Sequence, residues 1–182
     1  MRLSMSVSCM AAALFFTSVL SAQEAQAPQK EHAVLQNFVG EWESESEASM
    51  PGMPAIKCKG TMSGKMLGSF WMVSDVKGEM PGGMKMSALY TLGYDPEKKK
   101  YIGTWIDSAI SHMWTYSGTL DETGKKITLE AEGPNFMEPG KLSKYRDIYE
   151  FKSKDHMTLT SEMQGADGKW SPFMKGNIRR KK

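Results

Sequence analysis

Cysteine and histidine are scarce in this sequence, and neither sign of charge dominates. It contains two cysteines and three histidines, and its 23 Lys and Arg residues nearly balance 21 Asp and Glu residues, for a formal net charge of +2. A protein that binds nucleic acid usually carries a dominant basic face, so this balance argues against that class. Three histidines are too few for a metal cluster of their own. We predict neither a nucleic-acid partner nor a cofactor.

The cysteines also exclude a disulfide framework. Cys9 lies in an N-terminal apolar segment that we expect to be removed, which leaves Cys58 as a single thiol. Export usually invites disulfides, but one thiol cannot form one within its own chain. Cys58 is predicted to be a small buried residue, because Ile56, Cys58 and Met62 fall on the same side of an extended strand.

The sequence lacks the short motifs that mark common catalytic sites. A Gly-x-Ser-x-Gly elbow, a His-Glu-x-x-His pair, a Walker loop and a Cys-x-x-Cys pair are all missing. Barrel enzymes scatter their catalytic residues along the chain, so a barrel enzyme acting on an envelope metabolite remains an alternative hypothesis. We predict no particular catalytic residue.

The only long apolar run lies at the N-terminus. Residues 7–20 are apolar apart from three hydroxyl residues, and Arg2 precedes them. This pattern is typical of a secretory signal peptide and is too short for a comfortable membrane span. We predict cleavage after Ala22. Cleavage after Ala27 is the alternative, although Pro28 would then follow the cut.

These boundaries divide the chain into a signal peptide (1–22), a mobile leader (23–30) and one domain (31–182). No second long apolar run follows, so the mature protein is not expected to span a membrane. We predict a monomer that is periplasmic or secreted.

A short helix is predicted just before the first strand. Residues 33–39 place apolar side chains at helical spacing, Gly40 interrupts the pattern, and Glu41-Trp42 opens an extended segment. Many lipid- and pigment-binding β-barrels begin with a short helix closed by Gly-x-Trp, with the tryptophan at the barrel floor. We therefore place Gly40 and Trp42 at the floor of a barrel.

Extended segments make up the rest of the chain. About ten of them follow at roughly 8–12-residue spacing, with turns that include Gly64 and residues 93–100. In the first, residues 41–48, four glutamates alternate with small side chains, and a small inner row predicts open space inside. No helical pattern intervenes, which excludes parallel βαβ units. We predict an all-β fold, an antiparallel up-and-down barrel of about ten strands with one short N-terminal helix. A two-sheet sandwich is the alternative.

Seven segments carry a recognisable pattern, of which the turn Leu92-Gly93-Tyr94-Asp95 is the most specific. They are residues 32–42, 50–54, 57–60, 92–96, 103–106, 144–147 and 179–182. They resemble a bacterial family of exported proteins, the domain of unknown function 1579 family. The resemblance implies a lipocalin-like barrel, distantly related to the calycins, which bind small apolar ligands. In lipocalins an arginine near the last strand packs across the Gly-x-Trp indole. Arg179 or Arg180 could do this here; alternation does not choose between them, and we assign Arg179 to the floor.

Aromatic and polar residues that alternation places inside are candidates for ligand binding. The side chains of Tyr145, Asp147 and Tyr149 share one side of a strand. A buried aspartate needs a partner or a raised pKa, and a tyrosine hydroxyl, a backbone amide or Arg179 could supply the partner. The predicted ligand-binding residues are Phe70, Met72, Trp105, Trp114, Tyr145, Asp147 and Tyr149. Together they predict a site for a small hydrophobic or amphipathic molecule, with a simple packed core as the alternative.

Methionine is unusually frequent, with 16 residues. Thioethers bind Cu(I), so a Met-rich copper-binding module is an alternative hypothesis. Its candidate ligands are Met50, Met53, Met80, Met84 and Met86. Copper sites of this kind usually recruit a histidine or cysteine, and only Cys58 lies close in sequence. Flexible methionines lining an apolar mouth explain the pattern more simply.

The nitrobindin group, a barrel relative, holds haem through a histidine near its C-terminal strands, so the resemblance makes His156 a candidate haem ligand. Alternation points His156 towards solvent, on the side of its strand opposite Met157 and Leu159. We therefore predict no haem.

Overall fold

Ten antiparallel strands close into a barrel in which each strand pairs with its neighbours in the chain and the first pairs with the last. The structure, a computed structural model, describes residues 27–49, 52, 54–79 and 81–182. The predicted up-and-down barrel is confirmed, and the sandwich is excluded. The signal peptide, its cleavage after Ala22 and residues 23–26 of the leader lie outside the described residues. Within them, no helix is long and apolar enough to cross a membrane.

A 3₁₀ helix, Lys30–Phe38, precedes the barrel, and a single 3₁₀ turn, Pro81–Gly83, separates the third and fourth strands. The strands are β1 (Gly40–Ala48), β2 (Ile56–Leu67), β3 (Trp71–Glu79), β4 (Lys85–Asp95), β5 (Lys100–Asp107), β6 (Trp114–Leu120), β7 (Lys126–Pro134), β8 (Leu142–Ser153), β9 (His156–Gln164) and β10 (Trp170–Arg180).

The N-terminal helix ends where the sequence predicts. Its last residue, Phe38, is followed by Val39, whose N–H donates to the carbonyl oxygen of Gln36 at 3.2 Å. Gly40 then has φ +117°, a left-handed value that favours glycine. Leu35 and Phe38 are fully buried, so the helix directs its apolar face into one end of the barrel.

The alternation predicted for β1 is confirmed, and its small inner residues contact glycines of the neighbouring strands. The four glutamates are exposed and Trp42 is buried. A Cβ on Gly60 would lie 2.8 Å from Ser44 Oγ, and one on Gly176 would lie 3.1 Å from Ser46 Cβ. The side chains of Ser44 and Ser46 therefore lie against these glycines of β2 and β10. These contacts do not test the open space predicted beside β1, which stays a prediction.

Two glycines interpreted as turn residues lie inside strands. Gly64 belongs to β2, and a Cβ there would lie 2.2 Å from the Phe38 carbonyl oxygen. Gly93 belongs to β4, where a Cβ would lie 2.5 Å from Cε3 of Trp71. Both positions require glycine because other atoms approach the backbone, not because the chain turns. The hairpin between β2 and β3 forms later, at Gly68, where φ is +62°.

Candidate functional site

The N-terminal helix fills one end of the barrel with aromatic side chains. The Phe38 ring lies 5.1 Å from that of Tyr149, 5.3 Å from that of Phe151 and 6.3 Å from that of Tyr90, all near-perpendicular. The Tyr101 hydroxyl ties the helix to β5 by donating to the Glu31 carbonyl oxygen at 3.0 Å. This end of the barrel is therefore closed by a packed core.

Trp42 and Arg180 seal the same end. The Trp42 indole N–H donates to the Phe38 carbonyl oxygen at 3.1 Å, and the Arg180 guanidinium lies 4.2 Å from the centre of the indole ring. Arg180 Nη1 also donates to the Val39 carbonyl oxygen at 2.9 Å, and its Nε lies 3.1 Å from a carboxylate oxygen of Asp155. This pairing joins the helix, β1 and β10.

The assignment of Arg179 to this floor was wrong. Arg180 stands directly opposite Trp42 in the pairing of β1 with β10, whereas Arg179 stands opposite Glu43 and is exposed. A bulge in β10 between Pro172 and Met174 shifts the register with β9. Because one extra residue reverses which side chains point inwards, alternation counted from the start of the strand cannot identify the correct arginine.

The other end of the barrel contains a cavity of about 220 Å³. It lies at the end opposite the helix, since the loop residues Ile110 and Phe136 form part of its wall. Its lining comes from β5, β6, β8, β9, β10 and these loops, and is mostly apolar. The lining residues are Trp105, Asp107, Ile110, Trp114, Tyr116, Phe136, Tyr145, Asp147, Tyr149, Leu159, Ser161, Phe173 and Met174.

Five of the seven residues predicted to bind a ligand line this cavity: Trp105, Trp114, Tyr145, Asp147 and Tyr149. Their role in binding stays a prediction. Phe70 does not line it, because it belongs to the β2–β3 turn at the helix end, where its ring lies 5.3 Å from that of His32. Met72 points inwards as predicted but is fully buried in the core and does not line the cavity.

Asp147 forms the polar centre of the cavity wall. Its two carboxylate oxygens accept hydrogen bonds from Tyr116 Oη at 2.8 Å and from Ser161 Oγ at 2.5 Å. Burial raises the pKa of Asp147 above its ordinary value of 3.8, although both hydrogen bonds act to lower it. The expected tyrosine partner is confirmed, and Arg179 is not involved. Burial and the nearby Asp147 charge raise the pKa of Tyr116 well above 10.

Asp107 places a second carboxylate in the lining, towards the β5–β6 loop. One oxygen accepts from the Trp105 indole N–H at 2.9 Å, and the other accepts from the backbone N–H groups of Ala109 and Ile110 at 2.7 and 3.0 Å. Asp107 thus fixes both the Trp105 ring and the loop that carries Ile110.

Two buried hydroxyl groups next to the cavity have no hydrogen-bond partner among the described residues. They belong to Ser74 and Tyr90, which face each other across β3 and β4. The Tyr90 ring lies 6.0 Å from Trp105, 6.0 Å from Tyr116 and 6.3 Å from Tyr149, three residues of the cavity wall.

Ser161, Phe136 and Phe173 contribute to the site but were not predicted. Ser161 has a signal in the sequence, since it is the one polar residue on the inward side of β9 beside Met157, Leu159 and Met163. Phe136 lies in a loop, where no periodicity applies. Phe173 lies at the bulge in β10, where periodicity fails.

The candidate copper ligands do not form a site among the described residues. Met84 is exposed in the loop and Met86 is half-buried in β4, while Met50, Met53 and Met80 lie outside the described residues. No group of three or more His, Cys, Asp or Glu side chains that could hold a metal occurs in the described part of the chain. His156 lies at the surface, with Nε2 3.1 Å from Oδ1 of Asn177.

A larger depression, of about 540 Å³, lies across β1–β4. Its lining is dominated by exposed charged side chains of both signs, such as Glu45 and Lys59, which pair at 3.4 Å. Such charged side chains are well solvated, and the depression has no aromatic lining residue, so the aromatic cavity is the better candidate for a binding site.

The closed antiparallel barrel, its helix-plugged floor and its tryptophan–arginine pair define a calycin-like barrel protein. The sequence model described as "Protein of unknown function (DUF1579)" matches residues 27–180, and the chain belongs to this family. No curated protein matches the sequence significantly.

Two solved structures share the fold at low sequence identity. Rv2717c from M. tuberculosis is 12% identical, with a TM-score of 0.64, and the match covers 86% of this chain and 100% of that one. The S-type phycobiliprotein lyase CPES from Guillardia theta is 12% identical, with a TM-score of 0.56, covering 85% of this chain and 99% of the lyase. At this identity the likeness concerns the fold only.

Proposed function

We propose that this protein binds a small, largely apolar molecule in the cavity at the open end of its barrel. The observation that carries the proposal is the contrast between the two ends. The helix end is filled by Phe38 and the rings around it, whereas the opposite end leaves about 220 Å³ between aromatic walls. Ligand sites are typically concave and apolar, with a few polar groups that orient the ligand.

The size of the cavity limits the ligand. Drug-sized ligands occupy pockets of roughly 300–1,000 Å³, and one water takes about 30 Å³ in the liquid. A volume of about 220 Å³ therefore holds a molecule the size of one or two fused rings. A longer amphipathic ligand would extend past Ile110 and Phe136 into solvent.

Uncharged 2-methoxynaphthalene is expected to bind with a dissociation constant on the order of micromolar. Its fluorescence anisotropy, measured against protein concentration, checks this. Leu159→Trp enlarges a side chain of the cavity wall, so it is expected to weaken binding roughly tenfold or more. The control Leu89→Trp changes an exposed residue on the outside of β4 and should bind as the unchanged protein does.

Either of two results would contradict the proposal. If the unchanged protein shows no rise in anisotropy at any concentration, the cavity does not bind apolar molecules. If Leu159→Trp and Leu89→Trp bind the probe equally well, the probe occupies a different surface.

We also propose that the protein is exported and that residues 1–22 are removed. Support comes from the charged start and apolar run of the sequence. After expression of the full chain in a Gram-negative host, the periplasmic fraction is expected to contain a protein that begins at Gln23, as measured by intact mass. A chain that lacks residues 2–22 is the control and should stay in the cytoplasm. Recovery of the uncleaved chain from the cytoplasm would refute export.

A further inference from the structure

The cavity wall carries negative charge with no positive side chain to balance it. Asp107 and Asp147 both line the cavity, and its thirteen lining residues include no Lys, Arg or His. His112 packs edge-on against Trp114 at 4.9 Å, but it does not line the cavity, and its Nε2 donates to the Glu132 carbonyl oxygen at 3.2 Å. When they are ionised, these two carboxylates give the cavity wall a net negative charge.

The carboxylate of Asp147 can accept more hydrogen bonds than the two that it receives from the protein. An ionised carboxylate offers about four lone-pair directions. Tyr116 and Ser161 use one on each oxygen. An apolar ligand that covered Asp147 would strip water from the remaining directions and supply nothing in exchange, which is costly for a charged group. A ligand that brings a positive N–H group instead replaces the lost water with a charge-assisted hydrogen bond.

The aromatic part of the wall favours the same kind of ligand. Seven of the thirteen lining residues are aromatic, namely Trp105, Trp114, Tyr116, Phe136, Tyr145, Tyr149 and Phe173. The faces of such rings attract cations, and desolvation strengthens the attraction. A hydrocarbon group attached to the cation would at the same time contact the apolar surfaces of Leu159 and Met174.

We propose that the ligand of this cavity is a small organic cation, a protonated amine on a compact aromatic or branched apolar body, whose N–H group is held by Asp147 inside the aromatic wall. This inference rests on the proposed function, because it names the ligand class of the same cavity. It excludes fatty acids and other carboxylates, which would place their charge beside Asp147.

Three molecules of closely similar shape test whether the cavity prefers a positively charged ligand. They are 2-phenylethylamine, which is a cation at pH 7, the neutral 2-phenylethanol and the anion 3-phenylpropanoate. Isothermal titration calorimetry is expected to show the amine binding roughly tenfold more tightly than the alcohol, and no detectable binding of the anion.

Asp147→Asn should weaken the affinity for the amine roughly tenfold and leave the affinity for the alcohol within about twofold of its original value. Asp75→Asn, an exposed aspartate on the outside of β3, is the matched control and should change neither.

The pH profile of the unchanged protein gives a second readout. The tyrosines that face Asp147 are Tyr116 on β6, Tyr90 on β4 and Tyr149 on β8, all with a pKa raised above 10 by burial, and the cavity is also lined by two further titratable groups, Asp107 on β5 and Tyr145 on β8. None of these tyrosines titrates below pH 8. Affinity for the amine is therefore expected to fall as the pH drops through the raised pKa of Asp147, while affinity for the alcohol stays constant.

The outcomes separate this inference from the proposed function. Anisotropy of 2-methoxynaphthalene with Asp147→Asn shows whether the cavity still forms in that variant. Suppose the neutral probe binds but the amine binds no better than the alcohol, or its preference survives in Asp147→Asn. The cation inference is then overturned and the apolar site remains. Failure of the neutral probe to bind the unchanged protein would overturn both.

Discussion

Replacing Trp42 with alanine is expected to lower the free energy of unfolding by about 4 kcal/mol, within the range of buried tryptophan-to-alanine changes. The indole is 2% exposed and has three separate roles. It fills the floor, donates to the Phe38 carbonyl oxygen and supports the Arg180 guanidinium. Its removal leaves a cavity, an unpaired carbonyl group and an arginine without its stacking partner. Urea unfolding, followed by far-ultraviolet circular dichroism, measures the loss.

Trp71→Ala provides the matched control. Trp71 covers Gly93, but it lies on the outside of the barrel at 39% exposure, so the same substitution should cost only about 1 kcal/mol. Equal losses at the two positions would show that the floor does not hold the barrel together. A large loss only at Trp42 would instead establish the tryptophan–arginine seal as the main link between the helix, β1 and β10.

One strand, β8, shows why one end of the barrel is filled and the other is open. Its inward side chains run from the helix end towards the open end as Phe151, Tyr149, Asp147 and Tyr145. The first two contact Phe38. The last packs instead against the rings of Trp114 and Phe136, and its hydroxyl donates to the Pro134 carbonyl oxygen at 2.6 Å. Asp147 lies on β8 between these two groups of rings.

The sequence predicts the parts of this site that follow from alternation along regular strands. Alternation places Tyr145, Asp147 and Tyr149 inside. A buried carboxylate needs a donor, for which a tyrosine hydroxyl was one of three candidates, and the structure shows Tyr116 in this role. Alternation is informative here because one face of each strand is exposed to solvent and the other is buried inside the barrel, so the two faces differ in polarity.

Where regular strands stop, the same reasoning fails. The bulge at Phe173 reverses the inward side of β10, so alternation along this strand does not show that Arg180 is the arginine that packs on Trp42. The role of a glycine is equally ambiguous in the sequence. Gly64 allows close packing inside a strand and Gly68 forms a turn, and the residue type alone does not distinguish the two roles. Alternation also does not predict how far along the barrel axis an inward residue lies. Met72 and Trp105 both point inwards, but only Trp105 lines the cavity.

Gly133→Ala is expected to reduce the affinity for 2-methoxynaphthalene roughly tenfold and the free energy of unfolding by about 2 kcal/mol. A Cβ at Gly133 would lie 2.4–2.9 Å from Cζ3, Cη2 and Cε3 of Trp114, so this indole must move away, into the cavity that it lines.

The double variant Gly133→Ala with Trp114→Phe removes the outer ring that meets the new methyl group, and it should recover most of the lost affinity. Anisotropy and urea unfolding of the two variants decide the question. If Gly133→Ala binds the probe as the unchanged protein does, Trp114 does not form the wall of the occupied site. If the single and double variants lose affinity equally, the loss does not arise from the displaced indole.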